Sequence, residues 1–355
     1  MEGYRKALTV WYNHSKRELP WREGRDPYCI WVSEVILQQT RVLQGIDYYY
    51  NFLRIFPDVK TLALASEEQV LKVWQGLGYY SRARNMHHTA QYILSNHNGV
   101  FPTDYPSIRK LKGIGDYTAA AIASIAFNQP YAAVDGNVFR VLSRLFGIST
   151  PIDSTIGKKE FSDLALKLLD TNHPGEFNQA LMEFGAIQCL PAQPLCVTCP
   201  LSMKCHAFVH QTVLNFPVKS KQVKQKERYF NYLYLHQDDR LYLEKRGDKD
   251  IWRNMFQFPL IETTSPATPE EVIGGTAWRA KLGNLTYAID SISHEKIHVL
   301  THQRLHIRFF SITLAEHSIP ENCVFVELKE TEKYAVPKPI ELFLHDLTVD
   351  KDGSA

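Results

Sequence analysis

The sequence predicts a multidomain chain of α plus α/β class, with an all-helical first domain and a smaller mixed domain after it. Three observations predict this. Apolar residues recur at three- and four-residue steps up to about residue 214, a basic stretch of low apolar content follows, and beyond it the apolar period shortens to two. At 355 residues the chain can hold two domains that each bury a core.

The helical region covers 1–214. Trp74, Leu77 and the run Thr118 to Ile125 carry the helical period, and Gly76/Gly78, Gly99/Pro102, Gly113/Gly115 and Pro174/Gly175 break the helices into short pieces. Residues 215–228 place Lys219, Lys221, Lys224, Lys226 and Arg228 against one acid, Glu227, and read as a basic linker. In 229–348, Tyr232 and Tyr234 alternate with Leu233 and Leu235, Asp238-Asp239 makes a turn, and Leu241 and Leu243 resume the alternation as a hairpin. Strand-like runs at 296–300 and 305–314 and one helical segment near 269–282 complete an α/β domain, leaving 349–355 as a tail.

The formal charge of +2 leaves any polyanion-binding surface to local clusters of Lys and Arg. No stretch reaches the ~20 apolar residues of a membrane span, so the chain reads as cytoplasmic. In a reducing cytosol clustered cysteines point to metal or redox chemistry. Cys29 and Cys323 are isolated and read as plain core residues. The other four form Cys189-x6-Cys196-x2-Cys199-x5-Cys205, a donor set that suits zinc or an iron–sulfur cluster. Zinc sites usually pair two short Cys-x2-4-Cys knuckles. Only one is present here, which favours iron–sulfur.

Leu111-Lys112-Gly113-Ile114-Gly115-Asp116-Tyr117 is a Gly-x-Gly turn running into an Ala-rich helix, where exposed N–H groups and the helix dipole favour an anion. Two acids occupy unusual settings. Asp135 stands among apolar neighbours just before a helix, as an N-cap or as something more. Glu34, at 100° per residue, shares a flank with Ile30, Leu37, Gln38 and Arg41, either snorkelling or buried for use. A pair of carboxylates with different pKa values can protonate a leaving group and steady a cationic sugar. Gln39 falls in the apolar stripe of Val32, Val35, Ile36 and Leu43, where an amide without a partner is costly, so an external contact is expected. Tyr79 and Tyr80 sit on a Gly-loosened turn ahead of a basic helix.

The six-two-five cysteine spacing after Met182-Glu183-Phe184-Gly185-Ala186 resembles the cluster loop of endonuclease III and MutY-type DNA glycosylases, a helix-hairpin-helix superfamily. The resemblance implies a glycosylase domain with its hairpin at about 107–126, and a structural [4Fe-4S] cluster on Cys189, Cys196, Cys199 and Cys205 within the 189–205 loop. It places Gly113 and Gly115 on a DNA phosphate. It puts Tyr117 among the catalytic groups, at the position where strand-cutting relatives carry a Lys that attacks C1′, and so implies base removal without efficient strand cleavage.

Ser33 to Thr40 resembles the adenine-pocket signature, which implies that Glu34 protonates N7. Glu34 must then hold a proton near neutral pH, as burial would promote. Asp135, in the tract Val134 to Val141, is implied to stabilise C1′ electrostatically or as a transient nucleophile, with Asn137 orienting the network. Trp21, Arg22, Leu37 and Gln179 are implied at the adenine pocket, and Gln39, Thr40 and Tyr79 at the opened duplex.

The second domain resembles the MutT-like (Nudix) domain of the same family through the stretch from Trp252 to Phe256-Gln257-Phe258-Pro259. The acids of the Nudix box are absent, so nothing holds Mg²⁺ for nucleotide hydrolysis, and 8-oxoguanine recognition is implied instead. Leu300-Thr301-His302 stands where many relatives carry Phe-Ser-His, which assigns recognition to Thr301 and His302. The implied activity is removal of adenine from double-stranded DNA opposite 8-oxoguanine or guanine in base excision repair, by a nucleoid-associated monomer. An endonuclease III-like lyase and a non-catalytic mismatch binder are the rival readings. Tyr117 and the second domain speak against the first, the paired acids against the second.

Overall fold

The computed structural model describes residues 1–220, 225–315, 320 and 322–352, with the side chains of 348–352 left out. Lys221 and Lys224 of the expected linker and the end of the expected tail lie outside the described residues. The chain forms two compact units, one of Met1–Ala65 with Ser81–Gln222, the other of Ser66–Tyr80 with Val223–Ala355.

The first unit is helical, and several of its helices begin where short polar side chains take up orphan N–H groups. After α1 (Glu2–Ser15), Asp26 accepts from the Tyr28 N–H and Pro27 occupies the first turn of α2 (Pro27–Ile36). α3 (Val42–Ile55) follows, then α4 (Val59–Leu64) behind a reciprocal Asp58–Thr61 cap. A Ser66–Gln69 capping box starts α5 (Glu67–Val73), which belongs to the second unit. The first unit resumes with α6 (Ser81–His97), α7 (Tyr105–Lys110), α8 (Asp116–Phe127), α9 (Gly136–Phe146), α10 (Thr155–Leu168), α11 (Pro174–Glu183) and short α12 (His206–Val209).

α8 is the pivot. Every residue from Thr118 to Ile125 is buried, and their mostly small side chains let α2, α7 and α11 all pack against it. Leu8 of α1 joins Val138, Val141, Leu142 and Leu145 of α9, Phe161 and Leu168 of α10, and Phe177 and Leu181 of α11 in one apolar cluster. None of the described helices is long and apolar enough to cross a membrane.

The second unit is a mixed sheet. The expected hairpin is β1 (Lys226–Gln237) and β2 (Arg240–Lys245), turning at Asp238, whose φ is 53°. Short β3 (Phe256–Gln257) and β4 (Leu260–Thr263) pair with β2 and β1; β5 (Tyr287–Ile292) and β6 (Lys296–Val299) pair with β7 (Gln303–Leu314), and β8 (Cys323–Glu327) pairs with β2. β1 and β7 run parallel with Tyr232 opposite Phe309, and the other pairs are antiparallel.

Period two sends Leu233 and Leu235 to one face, against Val272 of α13 (Pro269–Gly274) and Trp278 and Leu282 of α14 (Thr276–Leu282). It sends Tyr232 and Tyr234 to the other, where Phe309 stacks on Phe343 of α15 (Lys338–Asp352) at 4.3 Å. The single helical segment expected near 269–282 is therefore two helices, because the backbone at Gly275 is extended and ends one helix while starting the next. Cys323 packs against this core, and both it and Cys29 are half-buried rather than fully enclosed.

Arg228, 9% exposed, bridges Asp250 and Glu262 at 2.7 and 2.6 Å and lies over the Phe230 ring. Removing it strands Glu262, while Asp250 keeps Arg246 at 2.5 Å, and each carboxylate is 38% exposed and partly relieved by water. Arg228→Leu is expected to lower stability by about 2 kcal/mol, less than a fully buried pair would lose. Urea denaturation measures it, and an unchanged midpoint contradicts the assignment.

Candidate active site

A cleft of about 930 Å³ opens in the first unit, and Trp21, Arg22, Glu34, Leu37, Gln39, Thr40, Tyr117, Asp135, Asn137 and Gln179 all line it. Local structure brings these distant residues together. α2 delivers Glu34 from its buried face, the first turn of α8 delivers Tyr117, and the start of α9 delivers Asp135 and Asn137.

Glu34 is 9% exposed and accepts a short hydrogen bond from the Tyr117 hydroxyl, which also reaches the Met182 sulfur at 3.3 Å. Burial raises the Glu34 carboxyl to about 7; the Tyr117 hydrogen bond and Arg22 oppose the rise, and the Asp135 charge adds to it. Burial also raises Tyr117, with the charges of Glu34 and Asp135 adding. Asp135 is an N-cap as well as a cleft residue. One oxygen accepts the Val138 N–H and the other the Asn137 amide, both at 2.7 Å. Burial raises its carboxyl, and these bonds resist that rise.

Asn137 is itself held. Arg140 donates to Asn137 Oδ1 at 2.8 Å and to the carbonyls of Gly185 and Cys189 at 2.7 and 2.8 Å. Gly185 must lack a side chain, since a Cβ there would stand 2.6 Å from that of Asn137. The turn carrying Gly185, Phe184–Gln188, is π-helical and ends at the first cysteine.

Two expectations on this wall need correction. α2 ends at Ile36 with Leu37 as its cap, so Arg41 does not continue the flank of Glu34. Nor does Gln39 continue the stripe of Val32, Val35 and Ile36. It is exposed in a turn at φ 61°, and Leu43 is 85% exposed rather than packed. The turn forms because Arg82 donates to the carbonyls of Val35, Ile36 and Gln38, satisfying groups that a longer helix would have bonded internally.

The sequence reading missed one network on the cleft wall. Glu183, 1% exposed, accepts from Arg17 Nε, Arg17 Nη2, the Arg17 backbone N–H and Arg22 Nη2 at 2.7–3.0 Å. Burial pushes its carboxyl up, but these four bonds win and hold it at about 2. Arg22 also lies over the Tyr12 ring, whose hydroxyl donates to Gln179 Oε1 at 2.9 Å, fixing the amide. The available signal was an acid flanked by apolar Leu181, Met182 and Phe184.

The four clustered cysteines line one small cavity with Val141, Phe184 and Leu195. Arg144 donates to Cys189 Sγ at 3.4 Å and to the carbonyls of Leu190 and Pro191 at 2.7 Å. Burial, with the other three sulfurs adding, pushes the Cys199 thiol up to about 11. Four bunched sulfurs of this kind suit a soft cationic centre. Among the described residues no three His, Cys, Asp or Glu side chains are positioned to grip a single metal ion, so the fit rests on donor chemistry and the shared cavity.

At the hairpin, Gly113 has φ 81° and its missing Cβ makes room for Asn85 of α6. Gly115 caps α8 without a side-chain bond, and a Cβ there would meet nothing within 4 Å. In the second unit Tyr79, exposed at φ 45°, bonds through its hydroxyl to Thr301 Oγ1 at 2.5 Å. The His302 side chain is exposed, while its carbonyl accepts from the Lys226 N–H at 2.9 Å.

This arrangement defines a class, a helical base-excision enzyme with an appended mixed-sheet domain. The profile of the HhH-GPD superfamily of base excision DNA repair proteins matches residues 32–165, and a NUDIX domain profile matches residues 231–346. The adenine DNA glycosylase of Buchnera aphidicola subsp. Baizongia pistaciae is 34% identical over 345 residues, 94% of each chain. That of Mus musculus is 44% identical over 215 residues, 58% of this chain and 42% of its own. A thermostable thymine-DNA glycosylase aligns with TM-score 0.55 and 28% identity, over 59% of this chain and 96% of its own. The chain belongs to the adenine DNA glycosylase family. It is a hydrolase of N-glycosyl bonds in base excision repair.

Glu34 is expected to titrate with a midpoint of about 7 in carbon NMR of the labelled carboxyl, protonated below and ionised above. Tyr117→Phe removes a bond that favours the carboxylate and should move the midpoint higher. A midpoint at the ordinary 4.5 contradicts the burial argument.

Proposed function

We propose that the enzyme removes adenine opposite 8-oxoguanine or guanine, with Glu34 as general acid and Asp135 as electrostatic stabiliser of the sugar. The observation that carries this reading is the pairing in one cleft of two carboxyls with different surroundings, one raised to about 7 by burial. As C1′–N9 breaks, its electron pair passes to the adenine, whose N7 takes the Glu34 proton. The positive charge left on the sugar faces Asp135 until water adds at C1′ and gives up a proton to the Glu34 carboxylate, which restores the acid. Asn137, aimed by Arg140, keeps the Asp135 oxygens oriented. Trp21, Arg22, Leu37 and Gln179 form the wall that receives the base, while Gln39 and Thr40, exposed or half-exposed beside it, meet the opened duplex.

The uncapped start of α8 and the open space at Gly115 support a phosphate contact there, with Gly113 setting the turn. The Tyr79–Thr301 bond supports a joint reading of the base opposite adenine, with His302 beside it. We assign a structural [4Fe-4S] cluster to Cys189, Cys196, Cys199 and Cys205. When bound it supplies a rigid, multiply charged clamp for the 189–205 loop.

Duplexes carrying adenine opposite 8-oxoguanine or guanine, treated with alkali after incubation, should be cut only at the adenine. Glu34→Gln should slow excision by about 10³-fold with duplex binding retained, and retained turnover refutes the acid assignment. Purified protein should absorb in the visible and carry about four irons per chain. Colourless protein holding zinc overturns the cluster.

A further inference from the structure

Ser66–Tyr80 lies in the first half of the sequence yet is built into the second unit. Val70, Leu71 and Trp74 are fully buried, and polar attachments are spread along its length. Asn254 Nδ2 donates to Glu67 Oε1 at 2.6 Å, Lys245 Nζ to Glu68 Oε1 at 2.6 Å, and Lys72 Nζ to the Tyr334 carbonyl at 3.3 Å. The Val336 N–H reaches Gln75 Oε1 at 3.4 Å, and the far end closes on Thr301 through Tyr79.

Between α5 and Tyr79 the chain has little freedom. Gly76, Gly78 and Tyr79 take φ of 95°, 68° and 45°, and the turn is cross-linked by Leu77 N–H to the Trp74 carbonyl and Trp74 Nε1 to the Gly78 carbonyl, both at 3.1 Å. A turn so bonded transmits a displacement of α5 to Tyr79 rather than absorbing it. Thr301 is fixed independently. Leu300 N–H donates to the Gln303 carbonyl at 2.8 Å, and the flanking residues are tied to Lys226 and Gln225.

We propose that α5 and its turn form a strap that sets Tyr79 against Thr301, which makes Glu67, Lys72 and Asn254 positioning residues for discrimination of the base opposite adenine. This rests on the joint reading of that base by Tyr79 and Thr301. Among the strap contacts the Glu68–Lys245 pair is exposed, at 57% and 44%, and such pairs contribute little energy. What they supply is geometry.

Single-turnover excision from adenine:8-oxoguanine and adenine:guanine duplexes gives a rate ratio that reports discrimination. Asn254→Asp sets a second carboxylate against Glu67, and residue 254, at φ 61°, tolerates Asp. The ratio should fall by about fivefold, the worth of one hydrogen bond, with the adenine:guanine rate unchanged. Adding Glu67→Gln restores a donor–acceptor pair and should return the ratio to the parent value, a rescue that general destabilisation would not show. An unchanged ratio in Asn254→Asp, an equal loss on both duplexes, or failure of the rescue overturns the strap. Tyr79→Phe and Thr301→Val test the underlying reading separately. If they leave the ratio intact that reading fails, and if they collapse it while Asn254→Asp does not, only the strap fails.

Discussion

The first unit is organised around the burial of one carboxyl. A glutamate with little exposed surface beside a second acid is unstable as an anion, and at Glu34 the environment resolves this by raising the proton affinity. Burial requires three helices to meet closely, and the small residues of α8 permit that. α2 can then lie near enough for Tyr117, in the first turn of α8, to touch the buried oxygen. The same packing leaves the other wall of the cleft to α9 and α11.

α9 connects chemistry to architecture. Its cap is Asp135, its first turn holds Asn137, and Arg140 and Arg144 follow on one side at a four-residue interval. Arg140 gathers Asn137 and the carbonyls of Gly185 and Cys189, and Arg144 gathers Cys189 Sγ and the carbonyls beyond it. A shift of the cysteine loop therefore bears on the amide that supports Asp135. Across the cleft Glu183 does comparable work for Arg17 and Arg22, and its charge survives burial because four donors replace the lost water.

Much of this was legible in the sequence, for identifiable reasons. Glu34 and Asp135 stand beside apolar neighbours, where a snorkelling side chain and an N-cap are the plainer readings, and only the resemblance of their motifs singles them out; the period-two run after Arg228 gave the β1–β2 hairpin directly. What escaped depended on partners far along the chain. The end of α2 is imposed by Arg82, and helical periodicity has no means of seeing a capping guanidinium some 46 residues away. Gln39 was singled out for a stripe that its left-handed turn does not continue, although it still lines the cleft. The grouping of Ser66–Tyr80 with the second unit leaves no local trace, since the segment's own pattern is that of any capped amphipathic helix. β8 and α15 were missed because neither carries a long clean alternation or stripe.

Position 117 shows how tightly the site couples chemistry to electrostatics. A tyrosine there places a neutral donor on Glu34, and burial with the neighbouring acids keeps that hydroxyl protonated. An ammonium in the same place would set a positive charge against the carboxyl and favour its ionised form, leaving no proton for the proposed transfer to adenine. An amine able to attack C1′ must itself be neutral, and a buried acid beside it would instead hold it charged. The two chemistries thus make opposite demands on one position. With Tyr117 the carboxyl can stay an acid near neutral pH, and the price is the absence of a nucleophilic amine at that point of the cleft.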